Sequence, residues 1–112
     1  MSGGSRLSVP DPRRGARRAV DFPVIGEHRQ RGDVILHVVN ISAQGFMVDG
    51  AIDLGKGERI IIRLPEIGRI EAFLIWQKGE RAGFQFERIL RLEDFARLVE
   101  ALPTPPGFPD PR

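Results

Sequence analysis

The chain has 112 residues, 17 basic and 15 acidic side chains, a net charge of +2 and no cysteine. That is room for one small domain, and it excludes disulfides, thiol catalysis and iron–sulfur clusters. No apolar run approaches the roughly 18 residues of a membrane helix and the first residues lack the apolar centre of a signal peptide, so a reducing cytoplasm without membrane insertion is the expected setting.

Residues 1–12 are polar and rich in Gly, Ser and Pro, and are expected to form a flexible arm. The positive charge gathers next to it. Residues 1–32 hold seven arginines against Asp11, Asp21 and Glu27, whereas residues 33–112 hold ten basic and twelve acidic side chains. A field confined to one segment suits a compact anion, because a long polyanion calls for a broad basic stripe.

Val20, Phe22 and Val24 alternate with Asp21 and Pro23, which reads as a strand, with Pro23 pointing to an edge. Val34–Val39 is a β-branched run, apolar apart from His37, so both of its faces are expected to be covered. A short strand follows over Gly45–Val48. Ile60, Ile62 and Leu64 alternate with Arg59 and Arg63 up to Pro65, and Ile70, Ala72, Leu74 and Trp76 are expected on one face of the next strand. Lys78-Gly79-Glu80 predicts a hairpin turn into Ala82–Phe86. The period then changes: Leu92, Phe95, Ala96, Val99 and Leu102 follow helical spacing, with Glu93 and Asp94 in the first turn and Pro103 just past the end. The expected fold is therefore mainly β: a six-stranded antiparallel barrel carrying one C-terminal helix. Residues 103–112, with five of the nine prolines, are expected to be a disordered tail.

Two elements carry the chemistry. Arg13-Arg14-Gly15-Ala16-Arg17-Arg18 places four guanidiniums at the entry to the domain, and Asn40-Ile41-Ser42-Ala43-Gln44-Gly45 follows where an apolar run ends. Arginine is a permanently charged planar fork that fits phosphate and the acceptor edge of guanine. An Asn/Ser turn closed by glycine offers small polar groups and an approachable backbone. Taken alone, the first is a solvated basic arm and the second an ordinary turn whose glycine takes a positive φ. In this order they suit a guanine nucleotide with phosphates.

No catalytic constellation is visible, so an enzyme is not expected. Ser42 is the only serine outside the arm and lacks a nucleophile elbow or a His base. His28 and His37 lack the spacing of a metal site, and His37 is expected to be packed inside its strand. Trp76 is expected in the core or at the barrel rim.

These residues resemble the PilZ domain, a bacterial receptor for cyclic di-GMP. The resemblance covers about residues 12–90. It rests on Arg-x-x-x-Arg followed by Asn-x-Ser-x-x-Gly, the approach Val38-Val39-Asn40-Ile41-Ser42, Gly57-Glu58-Arg59-Ile60-Ile61, the Leu74-Ile75-Trp76 strand and the closing Ala82–Phe86 strand. It implies a six-stranded split-barrel fold with a C-terminal helix, over residues 13–102. It implies cyclic di-GMP as the ligand, no cofactor or metal, and an unidentified protein effector as partner. By the resemblance, Arg13 and Arg17 contact phosphates and guanine edges, Arg14 adds to the first of them, Asn40 meets a guanine edge, Ser42 offers a hydroxyl and Gly45 permits close approach. Asn40 stands where the family more often has Asp, and Arg18 where it usually has an apolar residue, which leaves Arg14/Arg18 as a second register. The expected mechanism is ordering of the Arg13–Arg18 arm across the barrel mouth, creating a surface that a partner reads. The competing readings are a ligand-independent interaction module, in which the arginines meet acidic side chains, and an RNA-binding barrel. The latter is disfavoured by the absence of aromatic–basic interleaving and by the slightly acidic barrel segment.

Overall fold

In the computed structural model, which describes residues 17–50 and 52–104, six antiparallel strands close into a barrel and one helix follows. The strands are β1 (Arg18–His28), β2 (Gly32–Ile41), β3 (Gly45–Asp49), β4 (Arg59–Leu64), β5 (Gly68–Lys78) and β6 (Arg81–Phe86), and the helix is α1 (Leu92–Ala101). Around the barrel the order is β1-β2-β3-β6-β5-β4. The expected arm at residues 1–12, Arg13 and Arg14, and all but the first two residues of the expected tail lie outside the described residues.

Period-two patterning explains most of the interior. Ile60, Ile62 and Leu64 of β4 point in, as do Leu36 and Val38 of β2 and Ala82, Phe84 and Phe86 of β6. Phe46 and Phe84 stack with ring centroids 5.0 Å apart, and Phe86 tilts against Phe46 at 5.5 Å. This aromatic group fills the core beneath the β2–β3 connection. Helix α1 sets Phe95 and Leu98 into the same core, flanked by Leu90 and Leu102.

Closure of the barrel corrects several sequence expectations. β2 is covered on one face only: Ile35 is 77% exposed, because a small closed barrel has one interior and its outer face meets water. His37 is on that outer face as well. It is not packed; it is half-exposed and hydrogen-bonds the Asp21 carboxylate. Trp76 also leaves the phase expected for it. Leu74 pairs with Phe84 but Trp76 pairs with Gly83, so Ile75 is an extra residue on β5. A β-bulge of this kind shifts the following side chain to the opposite face. The indole then lies outside, over Gly83, where a Cβ would overlap it.

Pro23 marks a seam instead of a free edge. β1 and β4 share a single residue pair, Glu27↔Ile61, so Pro23 sits where β1 needs no donor toward β4. Arg69 reaches across β4 to both carboxylate oxygens of Glu27 at 3.1 Å and clasps the seam from outside. The β5–β6 hairpin is the expected tight one. Lys78 pairs with Arg81, and Gly79 supplies the positive φ of +60° at the first turn position.

His28 ties the β1–β2 turn to the loop before β4. Its Nδ1 accepts the backbone N–H groups of Gln30 and Arg31, which places the ring proton on Nε2, and that N–H donates to Glu58 at 2.6 Å. The other Glu58 oxygen accepts the Gly55 N–H at 2.8 Å. The Gly55 N–H and then the His28 bond hold the Glu58 carboxyl below its ordinary 4.5. A carboxyl whose pKa is lowered on folding contributes stability above the unfolded pKa and loses it as pH falls through the folded one. Melting temperature is therefore expected to drop, as pH falls below the ordinary carboxyl value of 4.5, less steeply in Glu58→Gln than in the parent chain, the two curves converging at the acid end. Parallel curves would show that Glu58 is not the titrating group.

Candidate functional site

The site forms where β1 begins and β2 ends. β1 starts at Arg18, which pairs with Ile41, and Ala19 pairs with Asn40. This register carries Arg17 alongside Asn40, and the Arg17 Nη1 donates to the Asn40 Oδ1 at 3.2 Å. The two sequence elements, 23 residues apart, therefore meet through side chains. With its oxygen engaged by Arg17, the Asn40 amide keeps both N–H donors for another acceptor. Arg17 and Arg18 are both exposed, so their remaining donors face solvent. At this end of the expected arm, Arg18 is paired in the β1–β2 ladder and Arg17 contacts Asn40. Arg13 and Arg14 lie outside the described residues.

A four-residue connection, Ser42–Gly45, joins the paired residues Ile41 and Phe46. The Ser42 N–H donates to the Gly45 carbonyl at 2.8 Å and closes the turn. Ser42 is buried, and its Oγ accepts the Gln44 N–H at 3.2 Å, so the side chain first of all shapes the turn. Its hydroxyl proton remains to be donated. The loop carbonyls are also used: Gln44 accepts the N–H of Phe86 and Ala43 accepts that of Leu90, each at 2.9 Å. The connection is thus held to itself, to the end of β6 and to the segment entering α1.

Gly45 is required for space, not for a left-handed φ, since the positive-φ glycines of the described residues are Gly32, Gly50, Gly57, Gly68 and Gly79. A Cβ on Gly45 would fall inside the 3.0 Å that real Cβ atoms keep, against the backbone carbonyl of Phe84. The motif glycine lets β3 lie directly on β6 where the loop returns to the barrel.

The outward row that begins with Ala19 and Asn40 continues through Met47 and Gly83 to Trp76. Sequence reasoning did not place Trp76 there, because the β5 bulge that moves it leaves no signal in the apolar pattern. His28 and His37 take no part in the site; each is engaged by a carboxylate elsewhere. Among the described residues, no three His, Cys, Asp or Glu side chains gather as metal ligands.

The family model described as the PilZ domain matches residues 12–102. The chain belongs to the PilZ domain family. No curated protein matches the chain. The PilZ match embraces the arginine cluster, the Asn40–Gly45 turn, all six strands and α1. PilZ domains are binding and adaptor modules, not enzymes. Among the described residues, no helix is long and apolar enough to cross a membrane.

Proposed function

We propose that this PilZ domain is a receptor for cyclic di-GMP that changes its fit to a protein effector when the dinucleotide binds. The observation that carries this reading is the Arg17–Asn40 contact, which joins the two elements in a chain of this family. Arg17 has Nε and Nη donors beyond the one given to Asn40, enough to meet a phosphate or the O6/N7 edge of a guanine. Asn40 contributes its amide N–H groups to a base edge. Arg13, with Arg14 next to it in sequence, supplies further guanidiniums to the clamp, and Arg18 adds a cation next to Arg17. Ser42 holds the turn and donates its hydroxyl, and Gly45 keeps the floor of the site level. We prefer the Arg13/Arg17 register over Arg14/Arg18, because Arg17 is the arginine in contact with Asn40. The proposed setting is the cytoplasm.

Because Arg17 is already seated on Asn40, part of the ordering cost is met before the ligand arrives, which favours affinity. Micromolar binding corresponds to about −8 kcal/mol, within reach of three or four such contacts. The test is calorimetric titration with cyclic di-GMP, with GTP and linear pGpG as controls. Selective, saturable heat is expected. Absence of heat together with an unchanged melting temperature would reject the receptor reading and direct attention to an interaction module that acts without nucleotide.

A further inference from the structure

Helix α1 is bracketed by two backbone hydrogen bonds, one to the Asn40–Gly45 turn and one to β1 three residues past Arg18. Ahead of the helix, the Leu90 N–H donates to the carbonyl of Ala43, inside Asn40–Gly45, at 2.9 Å. Behind it, the Pro103 carbonyl accepts the Asp21 N–H, also at 2.9 Å. Asp21 can make that bond because of a bulge: Ala19 pairs with Asn40 and Phe22 with Val38, so Val20 and Asp21 together face the single residue Val39. An extra strand residue leaves the ladder locally unpaired, and here the freed donor, three residues after Arg18, goes to the chain that leaves α1. Between these two bonds the helix adds Phe95 and Leu98 to the core, and Leu102 joins them just past its end.

From this geometry we infer that α1 is the positioning and readout element of the site: docking of the helix and binding of the ligand are coupled, each favouring the other. This rests on the receptor reading above. The physical basis is that α1 is tied at one end to the Asn40–Gly45 turn and at the other to β1, just past the arginines. When the helix is docked, Ala43 and Asp21 are held at opposite ends of one rigid segment. When it lifts, the Ser42–Gly45 connection loses a carbonyl partner and the start of β1 loses the bond that occupies its bulge. Coupling of this kind is reciprocal, so the dinucleotide tightens α1 and the outer surface of α1 changes with ligand state. The helix is suited to separate opening, because its hold on the barrel is a few apolar side chains, the two bracketing hydrogen bonds and an exposed Arg97–Glu66 ion pair, with no strand pairing.

Amide hydrogen exchange on the full chain, with and without cyclic di-GMP, tests the inference. In the free chain the Phe95–Ala101 amides are expected to exchange faster than those of Ile62 and Ile70 in the barrel, through an opening that leaves the strands folded. At ligand 100 times above Kd, the α1 amides are expected to slow about 100-fold, as mass action requires if only the docked form binds. Slowing at Ile62 and Ile70 with no change in α1 would overturn the coupling while leaving the receptor reading intact. So would α1 amides that exchange no faster than Ile62 in the free chain, because no separate docking step would then exist. Absence of binding heat in the same samples would remove the receptor reading and the coupling with it. Leu102→Ala, which loosens the end of α1 away from every proposed ligand contact, is expected to weaken binding by the inverse of the docked fraction of α1 that exchange reports in the free variant, with the barrel amides still protected. An affinity that departs from that fraction in the folded variant would also overturn the inference.

Discussion

Replacing Arg17 by Ala is expected to weaken cyclic di-GMP binding about 30- to 100-fold, the equivalent of about 2–3 kcal/mol for one well-placed guanidinium contact. Ligand-free stability should hardly move. Arg17 is exposed and gives the fold one hydrogen bond, to the exposed end of Asn40, and substitutions of that kind fall within about 0.5 kcal/mol. The melting temperature of the free variant is therefore expected within about 3 °C of the parent. A charge control separates a clamp from a general positive field. Arg63, exposed on β4, carries the same charge away from the site, and Arg63→Ala is expected to change affinity by no more than about twofold at moderate salt. Equal losses in the two variants would mean that net charge, not the Arg17–Asn40 arrangement, attracts the ligand. Normal binding by Arg17→Ala would remove Arg17 from the clamp.

Gly45→Ala is expected to be the most damaging single-methyl change in the barrel. The added Cβ would meet the Phe84 carbonyl, and that oxygen belongs to the β3–β6 ladder, where Gly45 pairs with Gln85 and Phe46 with Phe84. Relief requires the strands to separate at the point where the Phe46–Phe84 stack is anchored. Overpacking of a core costs about 1–3 kcal/mol and occasionally more, and a contact with backbone belongs at the upper end. For a domain of this size, about 3 kcal/mol lowers the melting temperature by roughly 12–24 °C. Gly83→Ala provides the comparison. There too a Cβ would overlap a neighbour, but the neighbour is the Trp76 side chain, 40% exposed and able to swing outward. Its expected cost is about 1 kcal/mol. Thermal melts of the two variants side by side check the argument. A Gly45→Ala protein as stable as Gly83→Ala would show that β3 can move away from β6 at little cost.

Much of this molecule was legible in the order of its residues. Alternation at Ile60, Ile62 and Leu64 states which side of β4 faces the core, since side-chain direction in a strand has period two. The helical spacing of Leu92, Phe95 and Val99, closed by Pro103, determined α1 in the same local way. The glycine at Gly79 set the β5–β6 hairpin, and the paired Arg and Asn/Ser/Gly elements pointed to the PilZ family and to its ligand.

What the sequence could not state is whatever depends on closure and on register. An apolar run such as Val34–Val39 looks the same whether one face is covered or two, and only the closed barrel leaves Ile35 and His37 in water. Bulges at Val20–Asp21 and at Ile75 insert single residues whose effect is set by the partner strand, so no local pattern announces that Trp76 turns outward or that the Asp21 N–H is released toward Pro103. Gly45 illustrates the division best. The sequence by itself determined that a glycine stands there, within a polar turn, and so marked the turn as a place of close approach. Only the tertiary structure decided that the approach is to the Phe84 backbone, because steric exclusion between distant segments is a property of their packing and not of either segment alone.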